Sequence, residues 1–103
     1  MTKLTKETIL KTIHQHKEEI RKLGVKKLTL FGSYAKNQQN EYSDIDFLVE
    51  YHKGRGLFKD SIGLLHLLRD KLFNKKIDLV KPELIREELK EDILRGNQYV
   101  AEI

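Results

Sequence analysis

Three aspartates carry the chemistry this chain could do. Asp44 and Asp46 are separated by one residue, Ile45, and open the apolar run Phe47 to Val49. The third, Asp78, sits inside another apolar run, Ile77-Asp78-Leu79-Val80. On an extended strand, residues i and i+2 point to the same face with Cα atoms about 6.6 Å apart. Two negative charges at that separation repel by roughly 2.5 kcal/mol at an effective dielectric of 20. A divalent cation between them reverses the sign. The two metal ions of phosphoryl-transfer sites stand about 3.5–4 Å apart, a gap that carboxylates converging from i and i+2 can serve. If the strand holding Asp78 neighbours the strand holding Asp46, the third carboxylate can face the same site. The ligands would be oxygens only, and the chain has no cysteine. That set favours Mg2+, with Mn2+ as the alternative, over Zn2+.

A second feature lies upstream. The apolar run Leu28 to Phe31 stops at Gly32-Ser33, and ten residues separate Ser33 from Asp44. Gly32 lets backbone approach a phosphate closely. Ser33, at the start of a short helix, offers a hydroxyl and free backbone N–H groups to an anion. A phosphate held there, with metal ions on its far oxygens, is the layout of phosphoryl or nucleotidyl transfer. Each feature has an ordinary reading alone. Gly-Ser after a strand is a turn, Asp-x-Asp is a helix cap or surface pair, and a strand aspartate faces solvent. Their joint placement, each on a strand or at its end, describes a metal–nucleotide site.

The elements that must position these groups are legible from periodicity. A first helix is expected from Thr5, which can cap it, to Leu23, with Ile9, Ile13, His16, Ile20 and Leu23 on one face and Gly24 as terminator. His14 and His16 point in different directions on such a helix and are not a metal pair. Strand one spans Lys26 to Phe31, a loop Lys36 to Glu41, and strand two Asp44 to Glu50 or Tyr51. Strand two puts Asp44, Asp46 and Leu48 on one face and Ile45, Phe47 and Val49 on the other. A helix from Leu57 to Phe73 carries the stripe Leu57, Ser61, Leu64, Leu65, Leu68 and Leu72, with His66 off it. Asn74-Lys75 is a turn and Lys76 to Val80 strand three. Pro82 opens a last helix with Ile85, Leu89 and Ile93 buried and Gly96 as cap. The tail from Gln98 to Ile103 is apolar enough to dock as a strand. The loop between the first two strands is too short for a full crossover helix, so they pair antiparallel. The fold class is therefore α/β (α+β), a small mixed sheet flanked by helices.

At 103 residues the chain is one domain, residues 1–103. Its net charge of +4 comes from lysines scattered among glutamates, which reads as solvated helix surface. Direct nucleic-acid binding is not expected. The longest apolar stretches are too short to span a bilayer, and the N-terminal MTKLTKETIL lacks the core of a signal peptide. With no cysteine, these features fit a soluble protein of the reducing cytoplasm.

The stretch GSYAKNQQNEYSDIDFLV resembles the Gly-Ser, ten residues, Asp-x-Asp signature of the DNA polymerase beta-type nucleotidyltransferase superfamily. In its fuller form, Gly-Ser-x-Ala-Arg-Gly…Ser-Asp-Ile-Asp-Leu-Leu-Val, it is similar to the minimal nucleotidyltransferases (MNT) of prokaryotes. The resemblance implies the polymerase beta-like fold. It also implies phosphate binding by Gly32, Ser33 and Lys36, and two Mg2+ ions held by Asp44 and Asp46. Asp78 would complete the metal site and help deprotonate the attacking hydroxyl. Lys36-Asn37 stands where the family has Arg-Gly. Lysine keeps the charge without the bidentate fork, and Asn37 can adopt a left-handed turn. The resemblance further implies the antitoxin of a toxin–antitoxin pair. Such a protein moves AMP from ATP to a tyrosine of a HEPN-type ribonuclease toxin encoded by a neighbouring gene. Two other readings stand beside it: a module that blocks the toxin by contact alone, and a catalytic subunit that modifies a small molecule.

Overall fold

A computed structural model of the chain describes residues 4–94 and 99–103. Helix α1, Lys6–Gln15, starts where expected: the Thr5 hydroxyl accepts the Thr8 N–H at 3.3 Å and the Thr8 hydroxyl accepts the Thr5 N–H at 2.9 Å. This reciprocal cap satisfies two amides that the first helical turn cannot. Thr5→Ala is expected to lower stability by about 1 kcal/mol. A thermal melt would record that as a fall of about 4–8 °C in a domain of this size.

The first helix is not continuous to Leu23. It breaks at His16, whose N–H is shared between the Thr12 and Ile13 carbonyls, and resumes as α2, Lys17–Lys22. The His16 ring pairs with Glu19 at 3.2 Å in the new first turn. Ile9, Ile13 and Ile20 are nevertheless all fully buried. Gly24 ends the segment at φ +81°, where an added Cβ would run into Arg55.

Strand β1, Val25–Phe31, passes directly into the one-turn helix α3, Gly32–Ala35. Strand β2, Ile45–Tyr51, returns antiparallel to β1, with Leu30 opposite Phe47 and Phe31 opposite Asp46. Helix α4, Phe58–His66, leads to β3, Ile77–Val80, which lies parallel to β2. The last strand, β4 (Tyr99–Glu102), pairs antiparallel with β1, so the sheet runs β3-β2-β1-β4. The mixed sheet is as expected. Its core side carries Ile45, Phe47 and Val49 of β2 packed with Ile9, Ile13, Ile20, Leu64 and Leu68 of the helices. Asp46 and Leu48 lie on the other face, both partly exposed.

Three further expectations are corrected. The helix expected from Leu57 to Phe73 is not α-helical to its end. From Leu67 to Phe73 it widens into a π-helix, and it stops at Asn74 with φ +47°. Leu57 is not on the buried stripe. It precedes the helix with extended backbone, so helical spacing does not aim its side chain, and it is 74% exposed. Pro82 opens only a 3-10 turn, Pro82–Leu84. Ile85 is extended, and α5, Glu87–Leu94, starts separately. Ile85 is partly buried; the side chains of Leu89 and Ile93, and Gly96, lie outside the described residues. No described helix is long and apolar enough to cross a membrane.

Candidate active site

The junction of β1 and α3 builds one wall of the site. Gly32 sits at φ +76°, a conformation that side-chain-bearing residues rarely adopt. A Cβ placed on it would collide with the Asp46 carboxylate. The space that a side chain would occupy at position 32 therefore belongs to Asp46, which the β1–β2 register brings alongside. The turn then closes on itself: the Lys36 N–H donates to the Gly32 carbonyl at 3.1 Å and the Gln38 N–H to the Ser33 carbonyl at 2.9 Å. Asn37 takes φ +59°, supplying without glycine the left-handed residue this turn needs. No side-chain hydrogen bond caps α3. Ser33 and Lys36 are both partly exposed at this end.

The carboxylates form the other wall. Asp46 and Asp78 are direct partners in the parallel β2–β3 register, so both stand on one face, with strand axes about 4.8 Å apart. Asp44 immediately precedes β2. Asp46 is half-buried, and its pKa is pushed up to about 6, first by burial and then by the charges of Asp78 and Asp44. Asp78 is exposed on the outer strand. Lys76 reaches Asp44 at 3.7 Å, but its side chain is 79% exposed. Such a pair offsets little of the repulsion among the carboxylates. In the sequence Lys76 is only the first residue of an expected strand, and nothing in its local pattern marks it as a partner of Asp44.

The structure thus brings Gly32, Asp44, Asp46 and Asp78 to one end of β2 and β3. The acids do not make a closed ligand set. Among the described residues, no three His, Cys, Asp or Glu side chains stand close enough to hold an ion by themselves. A separate cavity of about 1020 Å3 is lined by Leu4, Tyr34, Gln39, Glu41, Phe73 and Lys75 among others. None of the aspartates lines it. Gln39 Oε1 is buried without a hydrogen-bond partner.

Comparison with known proteins gives the family. The family described as Nucleotidyltransferase domain matches residues 13–100. Protein adenylyltransferase MntA of Thermococcus cleftensis is 34% identical over 101 residues, covering 97% of this chain and all of that protein. A provisionally named protein adenylyltransferase of Methanocaldococcus jannaschii is 44% identical over 73 residues, covering 71% of this chain and 76% of that one. Among solved structures, a provisionally named minimal nucleotidyltransferase superposes with a TM-score of 0.64 at 30% identity, covering 84% of this chain and 90% of that one. A toxin–antitoxin crystal structure with AMP-PNP gives a TM-score of 0.50 at 21% identity, covering 89% of this chain and 68% of that one, and speaks for the fold alone. With a family match across most of its length and a relative that it covers end to end, the chain belongs to the nucleotidyltransferase domain family, among its minimal protein adenylyltransferases.

Proposed function

We propose that this protein transfers AMP from ATP to a tyrosine of a HEPN-type ribonuclease toxin encoded beside it, and thereby acts as the antitoxin of the pair in the cytoplasm. One observation carries the reading. A half-buried carboxylate, Asp46, is flanked by two like charges and seated against a glycine that ends the neighbouring strand. An arrangement that disfavours its own ionisation is explained by a cationic ligand that relieves it.

The donor set fits Mg2+ or Mn2+. Mg2+ takes one or two carboxylates and completes its shell with water and substrate phosphate oxygens, so an open cluster of acids suits it. Asp44 and Asp46 would hold the ion, with Asp78 beside them. When bound, the ion supplies charge neutralisation for the phosphates. The rest falls to the chain itself. Gly32 and Ser33 seat the phosphates against backbone N–H groups, and Lys36 adds positive charge. The tyrosine oxygen attacks the α-phosphorus, the bond to the bridging oxygen of the β-phosphate breaks, and pyrophosphate leaves. Asp78, the most exposed of the three acids, takes the tyrosine proton. Leu57, Phe58 and Leu84 are 74%, 81% and 73% exposed and offer apolar surface to a partner protein.

Incubation with α-labelled ATP, Mg2+ and the product of the adjacent gene is expected to label that product on tyrosine. The variant Asp44→Ala plus Asp46→Ala is expected to transfer no label and to leave the toxin active. If that variant still neutralised the toxin, contact alone would be the mechanism and the transfer reading would fail.

A further inference from the structure

Resting on the nucleotide assignment above, we propose that Tyr42 is the stacking platform for the nucleobase of the bound nucleotide. Its side chain is 84% exposed. A lone exposed ring is ordinary on a protein surface, but this one is held in place. The Asn40 carboxamide oxygen accepts the Tyr42 N–H at 2.8 Å, the Ser43 hydroxyl accepts the Asn40 N–H at 2.9 Å, and the Ser43 N–H returns to the Asn40 carbonyl at 3.1 Å. The Lys75 ammonium donates to the Glu41 carbonyl at 3.1 Å and ties the turn to the start of β3. The backbone is thus fixed on both sides of a ring that stays in solvent.

Position supplies the second part. Tyr42 lies two residues before Asp44, within about 7 Å of it along the backbone, at the carboxylate end of β2. Among residues whose side chains are described, it is the exposed aromatic at this end. Phe31, Tyr34 and Phe47 are buried, Tyr51 and Phe73 pack on the core, and Phe58 starts α4 beyond the opposite end of β2. A nucleotide whose phosphates rest between Gly32 and the aspartates must place its base outside the phosphate site, and a planar ring on a pinned turn is the surface a base can cover. Stacking accepts any base, so Tyr42 would add affinity for nucleotides over bare polyphosphate without choosing among bases.

Calorimetric titration of the full chain with Mg-ATP and with Mg-tripolyphosphate tests this. The wild type is expected to bind ATP the more tightly. Tyr42→Ala is expected to weaken ATP roughly tenfold or more, the scale of one aromatic–base stack, and to leave tripolyphosphate unchanged. Tyr42→Phe keeps the ring and is expected to bind ATP as the wild type does. Undiminished ATP affinity in Tyr42→Ala would overturn the platform while the nucleotide site stands, and so would equal loss in Tyr42→Phe and Tyr42→Ala, which would assign the effect to the hydroxyl. A wild type that binds neither ligand would bring down the nucleotide site itself, and the platform with it.

Discussion

Asp46→Asn is expected to lower the rate of AMP transfer by about three orders of magnitude, the scale of removing one group that stabilises charge in a transition state. The same substitution is expected to raise the melting temperature of the metal-free protein at neutral pH. The sign follows from the direction of its pKa. The folded-state value is about 6, above the ordinary carboxylate value of 3.8, because burial and the neighbouring Asp78 and Asp44 charges disfavour the ionised form. Below pH 3.8 the group is protonated in both states and carries no penalty. As pH rises from 3.8 to 6 the folded protein loses stability at this position, and above 6 the whole penalty is present. Allowing for solvent screening of a half-exposed group, that penalty is about 1–2 kcal/mol. The wild type should therefore gain stability on going from pH 7.5 to pH 5 through this residue, and Asp46→Asn should lack that part of the slope. Added Mg2+ should raise the wild-type melting temperature at pH 7.5 and leave the variant nearly unchanged. A variant that melts well below the wild type at pH 7.5 would mean that Asp46 holds the fold rather than a ligand.

Gly32→Ala is the second large effect. It should abolish transfer and destabilise the protein together. The φ of +76° alone penalises a side chain by about 1–2 kcal/mol. The added methyl also meets the Asp46 carboxylate, which must move off its seat. A double-mutant cycle separates the two terms. On an Asp46→Ala background the collision with the carboxylate is gone and the backbone strain and a close contact with the residue-46 Cβ at 3.3 Å remain, so Gly32→Ala should destabilise less there than in the wild type. Equal losses on both backgrounds would show that the two residues do not share the space.

Much of this arrangement was legible before any coordinates. Alternation in Asp44 to Val49 put the acids on one face of β2 and the core residues on the other, because a strand has a period of two and only one of its faces can be apolar here. The brief Lys36–Glu41 connection pointed to an antiparallel β1–β2 pair. Thr5 as cap and Gly24 as terminator followed from local backbone chemistry. What escaped detection depends on hydrogen-bond detail or on distant pairing. Over two turns the stripe Leu64, Leu65, Leu68, Leu72 suits an α-helix and a π-helix alike, so the widening at Leu67 leaves no mark in side-chain spacing. The break at His16 leaves Ile13 and Ile20 buried and is silent for the same reason. Leu57 lies one residue before the helix start, where apolar character carries no place on the helical stripe. Gly32 was recognised as a position of close approach, yet its neighbour Asp46 emerges only from the register of two strands. The mutual placement of Asp46 and Asp78 required β3 to be parallel to β2, which sequence left conditional.

The strand order β3-β2-β1-β4 has a consequence for biosynthesis. β1, which ends at Phe31, borders β2 on one side and β4 on the other. During translation β4 is the last of the four to be made. Until then Lys27 to Leu30 present an unpaired backbone edge beside fully buried-type residues such as Leu28 and Leu30. Such an edge is a template for pairing with other chains. Nascent or C-terminally clipped chains are thus the aggregation-prone species of this protein, and proteolytic loss of residues 99–102 would uncover the strand that leads into the Gly32 turn.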